Sequence, residues 1–231
     1  MRRLPALLVL PLVTLPLLAA CAPPVAPSES QVREIEDVTA VVLVTSGDLV
    51  ISLGEPSLTI TAPADVIDSL TSESADDLLV LGSQGPGQFA GEIRYELTLP
   101  AVTTVRNSGS GDVDVDFSAA DDVHVSVDGS GDLEGTGIDA ATASVSISGS
   151  GDVELAGRVD GVSARIEGSG DMELADLVSQ DAFADVRGSG NLRVHATRML
   201  RVDLSGSGSV HYSGGAEVTS DITGSGSLVE D

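Results

Sequence analysis

Aspartate recurs in this chain behind one tripeptide. Asp112, Asp132, Asp152 and Asp171 each follow a Gly-Ser-Gly, and any fold that piles those tripeptides on one another lines the four carboxylates into a column. Like charges at stacking distance repel, and a divalent cation would relieve that repulsion, so one chemistry open to the column is weak calcium binding. The other is structural: an aspartate beside a glycine-rich turn accepts backbone N–H bonds and faces water. The spacing is also sparser than the nonapeptide pattern of calcium-binding β-rolls. Turn capping is therefore the expectation, and no metal or cofactor is assigned.

His124, His195 and His211 fall between apolar positions and at different offsets from the tripeptide, which predicts three outward, unaligned imidazoles rather than a base or a ligand set. No G-x-S-x-G elbow leads from a strand into a helix, and the glycine-rich corners lack the lysine and helix of a phosphate loop. A sugar-cleaving β-helix would need a carboxylate pair in a walled groove and aromatic platforms. The aromatic residues here are Tyr95, Tyr212, Phe89, Phe117 and Phe183. No catalytic residue is assigned, and the chain reads as a non-enzyme.

Cys21 is the single cysteine. Before it come Arg2 and Arg3, an apolar stretch over 4–18 broken by Pro5, Pro11 and Pro16, and then Leu18-Ala19-Ala20-Cys21. The stretch falls short of the roughly 20 residues of a membrane span and suits a signal peptide. Leu-Ala-Ala-Cys resembles the lipobox of bacterial lipoproteins, which implies cleavage before Cys21 and lipidation of its sulfur. The expected organisation is a signal peptide over 1–20, a lipidated N-terminus and flexible Pro/Ser/Ala tether over 21–34, and one folded domain over 35–231. Partners follow from this: a membrane through the anchor on its extracytoplasmic face, and an unidentified extracellular or envelope protein or polysaccharide. Lysine is absent and the formal charge is -25. Cleavage would remove two of the 11 arginines and none of the 36 acids, leaving -27. A polyanion repels nucleic acid, which is excluded as a partner.

The elements that must position these residues are set by the repeat. Gly-Ser-Gly begins at Gly109, Gly129, Gly149, Gly168, Gly188, Gly206 and Gly224, at intervals of 20, 20, 19, 20, 18 and 18 residues. Four places after each first glycine stand Val113, Leu133, Val153, Met172, Leu192, Val210 and Leu228. Two places before the last six stand Val127, Ile147, Ile166, Val186, Leu204 and Ile222, with mostly aliphatic residues at four and six before. Period-two alternation leading into a fixed turn is the mark of strands with one face inward, and it excludes helix. One such unit cannot bury its apolar face alone; stacking at about 4.8 Å lets the inner side chains form a continuous column. The predicted fold is all-β, a single-stranded right-handed parallel β-helix or β-roll solenoid with coils of about 18–20 residues. An antiparallel sandwich or meander is the alternative. The shorter intervals place their deletions in the variable corner opposite Gly-Ser-Gly.

Ahead of Gly109 the pattern is looser. Strands are expected around Val41, on both sides of Ser46-Gly47-Asp48, and at 58–61, 78–81 and 93–100, with short helical turns at 64–70. Asn107 occupies a position that is aliphatic in later units. These residues read as opening coils that cover the end of the stack.

VTAVVLVTSGDLVISLGE, then ELTLPAV, then SGSGDVDV and the repeated SGSGD units resemble the GIN-domain family, also called auto-transporter adhesin head domain, over residues 38–231. The resemblance implies a secreted or lipid-anchored protein with a right-handed β-helical domain and a role in binding or adhesion. Asn191, Ser209 and Ser227 depart from the aspartate that follows earlier corners. A non-catalytic adhesion-like scaffold is the expectation. An envelope structural or signalling accessory with a protein partner is the alternative, ahead of a polysaccharide-active enzyme.

Overall fold

The computed structural model describes residues 27–85 and 91–231. Two parallel ladders run along it. In spatial order the first joins β6 (Leu78–Ser83), β2 (Ala40–Leu43), β8 (Thr104–Asn107) and β10 (Asp122–Val127). It continues through the C-terminal halves of β11 (Leu133–Ile147), β12 (Val153–Gly168), β13 (Met172–Gly188) and β14 (Leu192–Gly206), and ends at β16 (Glu217–Gly224). The second joins β7 (Arg94–Leu99), β3 (Asp48–Leu53), β9 (Val113–Asp116), the N-terminal halves of β11 to β14, β15 (Ser209–Ser213) and β17 (Ser227–Glu230). The fold is thus an all-β, mostly parallel solenoid, as the periodicity predicts.

Register confirms the alternation residue by residue. Val127 pairs with Ile147, Ile147 with Ile166, Ile166 with Val186 and Val186 with Leu204, and all five are buried. Ile222 continues the column but is 41% exposed, because among the described residues no further strand covers β16.

The corners explain the glycines. Ser130 donates its N–H to Gly109 O at 3.1 Å and Ser150 donates to Gly129 O at 3.1 Å. A Cβ on Gly149 would lie 2.0 Å from that same Gly129 oxygen, so only a residue without one lets successive corners approach this closely. Thr45-Ser46-Gly47 is the first corner of the same pile: a Cβ on Gly109 would lie 1.8 Å from Thr45 O. The Thr45 hydroxyl donates to Tyr95 Oη at 3.3 Å. Burial raises the Tyr95 phenol above its ordinary pKa, against the lowering effect of that hydrogen bond.

Asn107, fully buried in an aliphatic column, is satisfied locally. Its Nδ2 donates to Gly111 O at 2.8 Å and its Oδ1 accepts from Gly109 N–H at 3.1 Å. It ties down the corner from inside, which is how a polar side chain can stand where later rungs carry Val or Ile.

Three expectations need correction. First, the opening coils are not laid down in sequence order. The rung of β2 and β3 lies between the β6–β7 rung and the β8–β9 rung. Between them in the chain, β4 (Ser57–Pro63) pairs antiparallel with β7, and β5 (Leu70–Ala75) pairs antiparallel with β6. With the short 3-10 helix Ile67–Ser69 these strands cap the end. Second, the variable corner becomes a third short ladder in later rungs. Ile138 to Ala140 pair with Gly157 to Val159, which pair with Leu177 to Ser179. Ile138, Val159 and Leu177 are buried there, so the corner holds core residues at an offset that shifts between rungs and hides from a fixed count. Third, Ser28–Arg33, read as tether, forms β1 and pairs antiparallel with β4. Apolar pattern could not reveal it, since Val32 is 77% exposed. The strand is held by main-chain pairing and by the Arg33 guanidinium, which donates to Leu70 O at 2.7 Å and Ile67 O at 3.1 Å.

Candidate functional site

The flagged aspartates do form a column, on the outer face of the second ladder. The residue two places further along each strand shares that face, so a second acidic row runs beside the first: Asp114, Glu134, Glu154 and Glu173 are consecutive register partners. Together the rows line an open groove of about 740 Å³ that continues past Asn191 and Arg193 to Ser209 and His211.

Hydrogen bonding defines what the first row does. Asp132 N–H donates to Asp112 Oδ1 at 2.9 Å, Asp152 N–H to Asp132 Oδ1 at 2.8 Å, and Asp171 N–H to Asp152 Oδ1 at 2.7 Å. The ladder begins one step earlier than expected, because Asp112 N–H donates to Asp48 Oδ1 at 3.1 Å. Ser46-Gly47-Asp48 carried the signal, ending as the later corners do, but its distance of 64 residues from Asp112 hid the neighbourhood. The departures at the other end continue the ladder without charge. Asn191 N–H donates to Asp171 Oδ1 at 2.7 Å, and Asn191 Oδ1 accepts from Ser209 N–H at 3.0 Å. One carboxylate oxygen per rung is thus spent on the backbone of the next.

Among the described residues no group of three or more His, Cys, Asp or Glu side chains is arranged to hold a metal ion. In the column, each aspartate caps the backbone N–H of the next rung. Asp152→Ala is expected to destabilise the domain by about 1.5 kcal/mol through loss of one charge-assisted bond. Asp152→Asn keeps the acceptor, as Asn191 does, removes one like charge, and is expected to be neutral or slightly stabilising. Urea unfolding of both variants checks the pair; equal losses would reject the capping role.

The histidines are not brought together. His124 stands exposed on the first ladder. His195 Nδ1 lies 3.0 Å from Ser213 Oγ and His211 Nδ1 lies 3.1 Å from Asp231 Oδ1. In the groove Arg193 pairs with Glu173 at 2.9 Å, and that hydrogen bond and charge raise the guanidinium pKa. Cys21, the rest of residues 1–26, and Phe89 lie outside the described residues. No described helix is long and apolar enough to cross a membrane.

What the sequence did not reveal is on the opposite face. Asp185, outward on the first ladder, is 3% exposed and is covered by Arg165 at 3.3 Å and Arg187 at 2.8 Å. Beside it Phe183 carries the Arg201 guanidinium over its ring, 5.9 Å from the centroid. Near them lies an apolar hollow of about 470 Å³ whose lining includes Gly161, Phe183 and Met199. Alternation marks these residues only as outward; which of them become neighbours depends on a register across three rungs.

A stacked parallel solenoid with a buried aliphatic column, an antiparallel cap and patterned outer faces defines the architectural class. The chain belongs to the family described as "Putative auto-transporter adhesin, head GIN domain", which it matches over residues 38–216. Solved structures share the fold. A "putative adhesin" from Bacteroides fragilis aligns at a TM-score of 0.85 with 19% identity, over 89% of this chain and 97% of that one. A "putative lipid binding protein" from Parabacteroides distasonis aligns at 0.69 with 22% identity, over 88% and 96%. A "putative adhesin" from the same species aligns at 0.71 with 17% identity, over 89% and 98%. No curated protein matches the chain.

Proposed function

We propose that the protein is a cell-envelope lipoprotein, anchored through Cys21 on the extracytoplasmic face, whose solenoid is a non-catalytic binding scaffold for an extracellular or envelope protein or polysaccharide. The observation that carries this is the division of labour in the rungs. Inward residues are spent on one continuous core, the acidic column on backbone capping, and the remaining outward positions form broad open faces. Such faces suit extended partners better than a small substrate that must be enclosed. The adhesin names of related structures agree with this reading. Crossovers between parallel strands are right-handed in about 98% of cases, and a right-handed coil belongs to the same proposal, as do a signal peptide over 1–20 and a lipidated N-terminus leading into the domain.

The anchor also fixes an orientation. β1 begins at Ser28, so residues 22–27 form the whole link from Cys21 to the capped end. Fully extended at roughly 3.5 Å per residue, that link reaches about 25 Å. The capped end then sits nearest the membrane and the final rung furthest from it. Labelling cells with an alkyne fatty acid tests the anchor. The wild-type chain is expected to take the label and sediment with membranes, while Cys21→Ser takes none and is released. An unlabelled wild type, or a Cys21→Ser chain that stays with membranes, would remove the anchor from the proposal. Affinity capture from envelope extract, with acid-groove variants as controls, tests the scaffold itself.

A further inference from the structure

We infer that the outer face of the first ladder is an interface between two copies of this chain, packed face to face with their stacks running in opposite directions. In a chain of net charge -25, this face is nearly balanced in charge over the three rungs of β12, β13 and β14. Arg165 and Arg187 are paired with Asp185, Arg187 also with Glu167, Arg198 with Asp181 and Arg201 with Asp203. Half-buried Phe183, exposed Met199 and arginines on it are the types enriched at protein interfaces.

Self-complementarity decides the occupant. Gly161, Asp181 and Met199 are successive register partners in one outward column. Met199 protrudes, 51% exposed, whereas a Cβ added at Gly161 would meet nothing within 4 Å. Knob and hole thus stand two rungs apart, with the rung of Phe183 between them. A two-fold axis along that middle rung places the Met199 of one copy over the Gly161 of the other, which is the isologous arrangement of a symmetric dimer. It also reverses the order of rungs.

The same operation can be checked at the other columns. Arg165, Asp185 and Asp203 are register partners, so Arg165 meets the second copy's Asp203. Phe183 meets its own counterpart, an aromatic pair on the axis. Asp181 and Asp185 also meet their counterparts, each already neutralised by arginines of its own copy. With the two-fold instead along the stack, Met199 would face Met199 and the hole would stay empty. Seven residues of strand by five rung spacings give on the order of 600 Å² per copy. That is the low end for specific association, and it predicts a weak dimer opposed at long range by the net charge.

The test is sedimentation of the full chain in density-matched detergent at low and high salt. A dimer with micromolar dissociation is expected at 0.5 M salt, loosening as salt falls because screening of the negative charge is lost. Met199→Ala and Gly161→Leu are each expected to weaken it at least tenfold without lowering the melting temperature. Together they should restore most of it, since the leucine side chain introduced in one copy then fills the space that the methionine of the other leaves. A monomer at all concentrations in both salts would overturn the inference, as would a dimer indifferent to Gly161→Leu. Capture of glycan or acyl chain in the hollow in place of a second copy would overturn it as well.

Discussion

Gly149→Ala is expected to destabilise the domain by about 3–5 kcal/mol, among the larger effects of any single substitution. One methyl group is added, but it is aimed at Gly129 O from 2.0 Å. The obstacle is backbone, held in place by the Ser150 N–H that bonds to it at 3.1 Å, so no rotamer change relieves the clash. The corner must open, and with it the hydrogen bonds between two rungs. For a domain of this size the loss corresponds to roughly 10 °C or more in melting temperature. Gly161→Ala is the control. Its added Cβ meets nothing within 4 Å, and the lower entropy of the unfolded chain predicts a gain of about 0.4–1 kcal/mol. Thermal unfolding of the two variants side by side reads the difference. If both behave alike, the close approach of successive corners is not what the glycines serve.

Phe117→Ala is expected to lose about 3–5 kcal/mol, the range for emptying a buried phenyl site. Phe117 is fully buried in a core otherwise made mostly of Val, Leu, Ile and Ala. Room for it comes from the next rung. Gly135 stands inward there, and a Cβ on it would lie 2.9 Å from Phe117 Cε2 and 2.5 Å from Leu155 Cδ2. Large and small residues are thus matched across rungs. The double variant Phe117→Ala/Gly135→Ala should therefore be more stable than the sum of its parts, by about 1 kcal/mol, because the added methyl group enters space that the phenyl vacated. A strictly additive cycle in urea unfolding would contradict the match.

Gly-Ser-Gly phasing with its flanking aliphatics made the parallel stack legible from Gly109 onward, because each inward residue repeats its offset. Legibility failed where order in space and order in sequence part. Leu79 and Leu97 alternate correctly as strand residues, yet nothing local says that their rung precedes that of Val41 and Ile51. Asp48 was missed as the foot of the acidic column for the same reason. The cap strand around Arg33 was hidden because its stability comes from main-chain pairing and guanidinium contacts, which leave no apolar period. On the charge-balanced face, Phe183 and Met199 could be assigned outward, but the hollow between them depends on a missing side chain at Gly161.

The inverted placement of the first rungs bears on the order in which the chain can assemble. The rung of Val41 and Ile51 is made first, yet it is a filling between two neighbours made later, and neither side of it can be closed until residues near Leu99 have arrived. From there each coil finds a finished template beneath it and adds like a monomer to a growing end. A nucleus of about the first 110 residues, slow because its contacts are distant in sequence, would then be followed by rapid one-directional growth, and truncations inside the first part should fail altogether where those in the second merely shorten the rod.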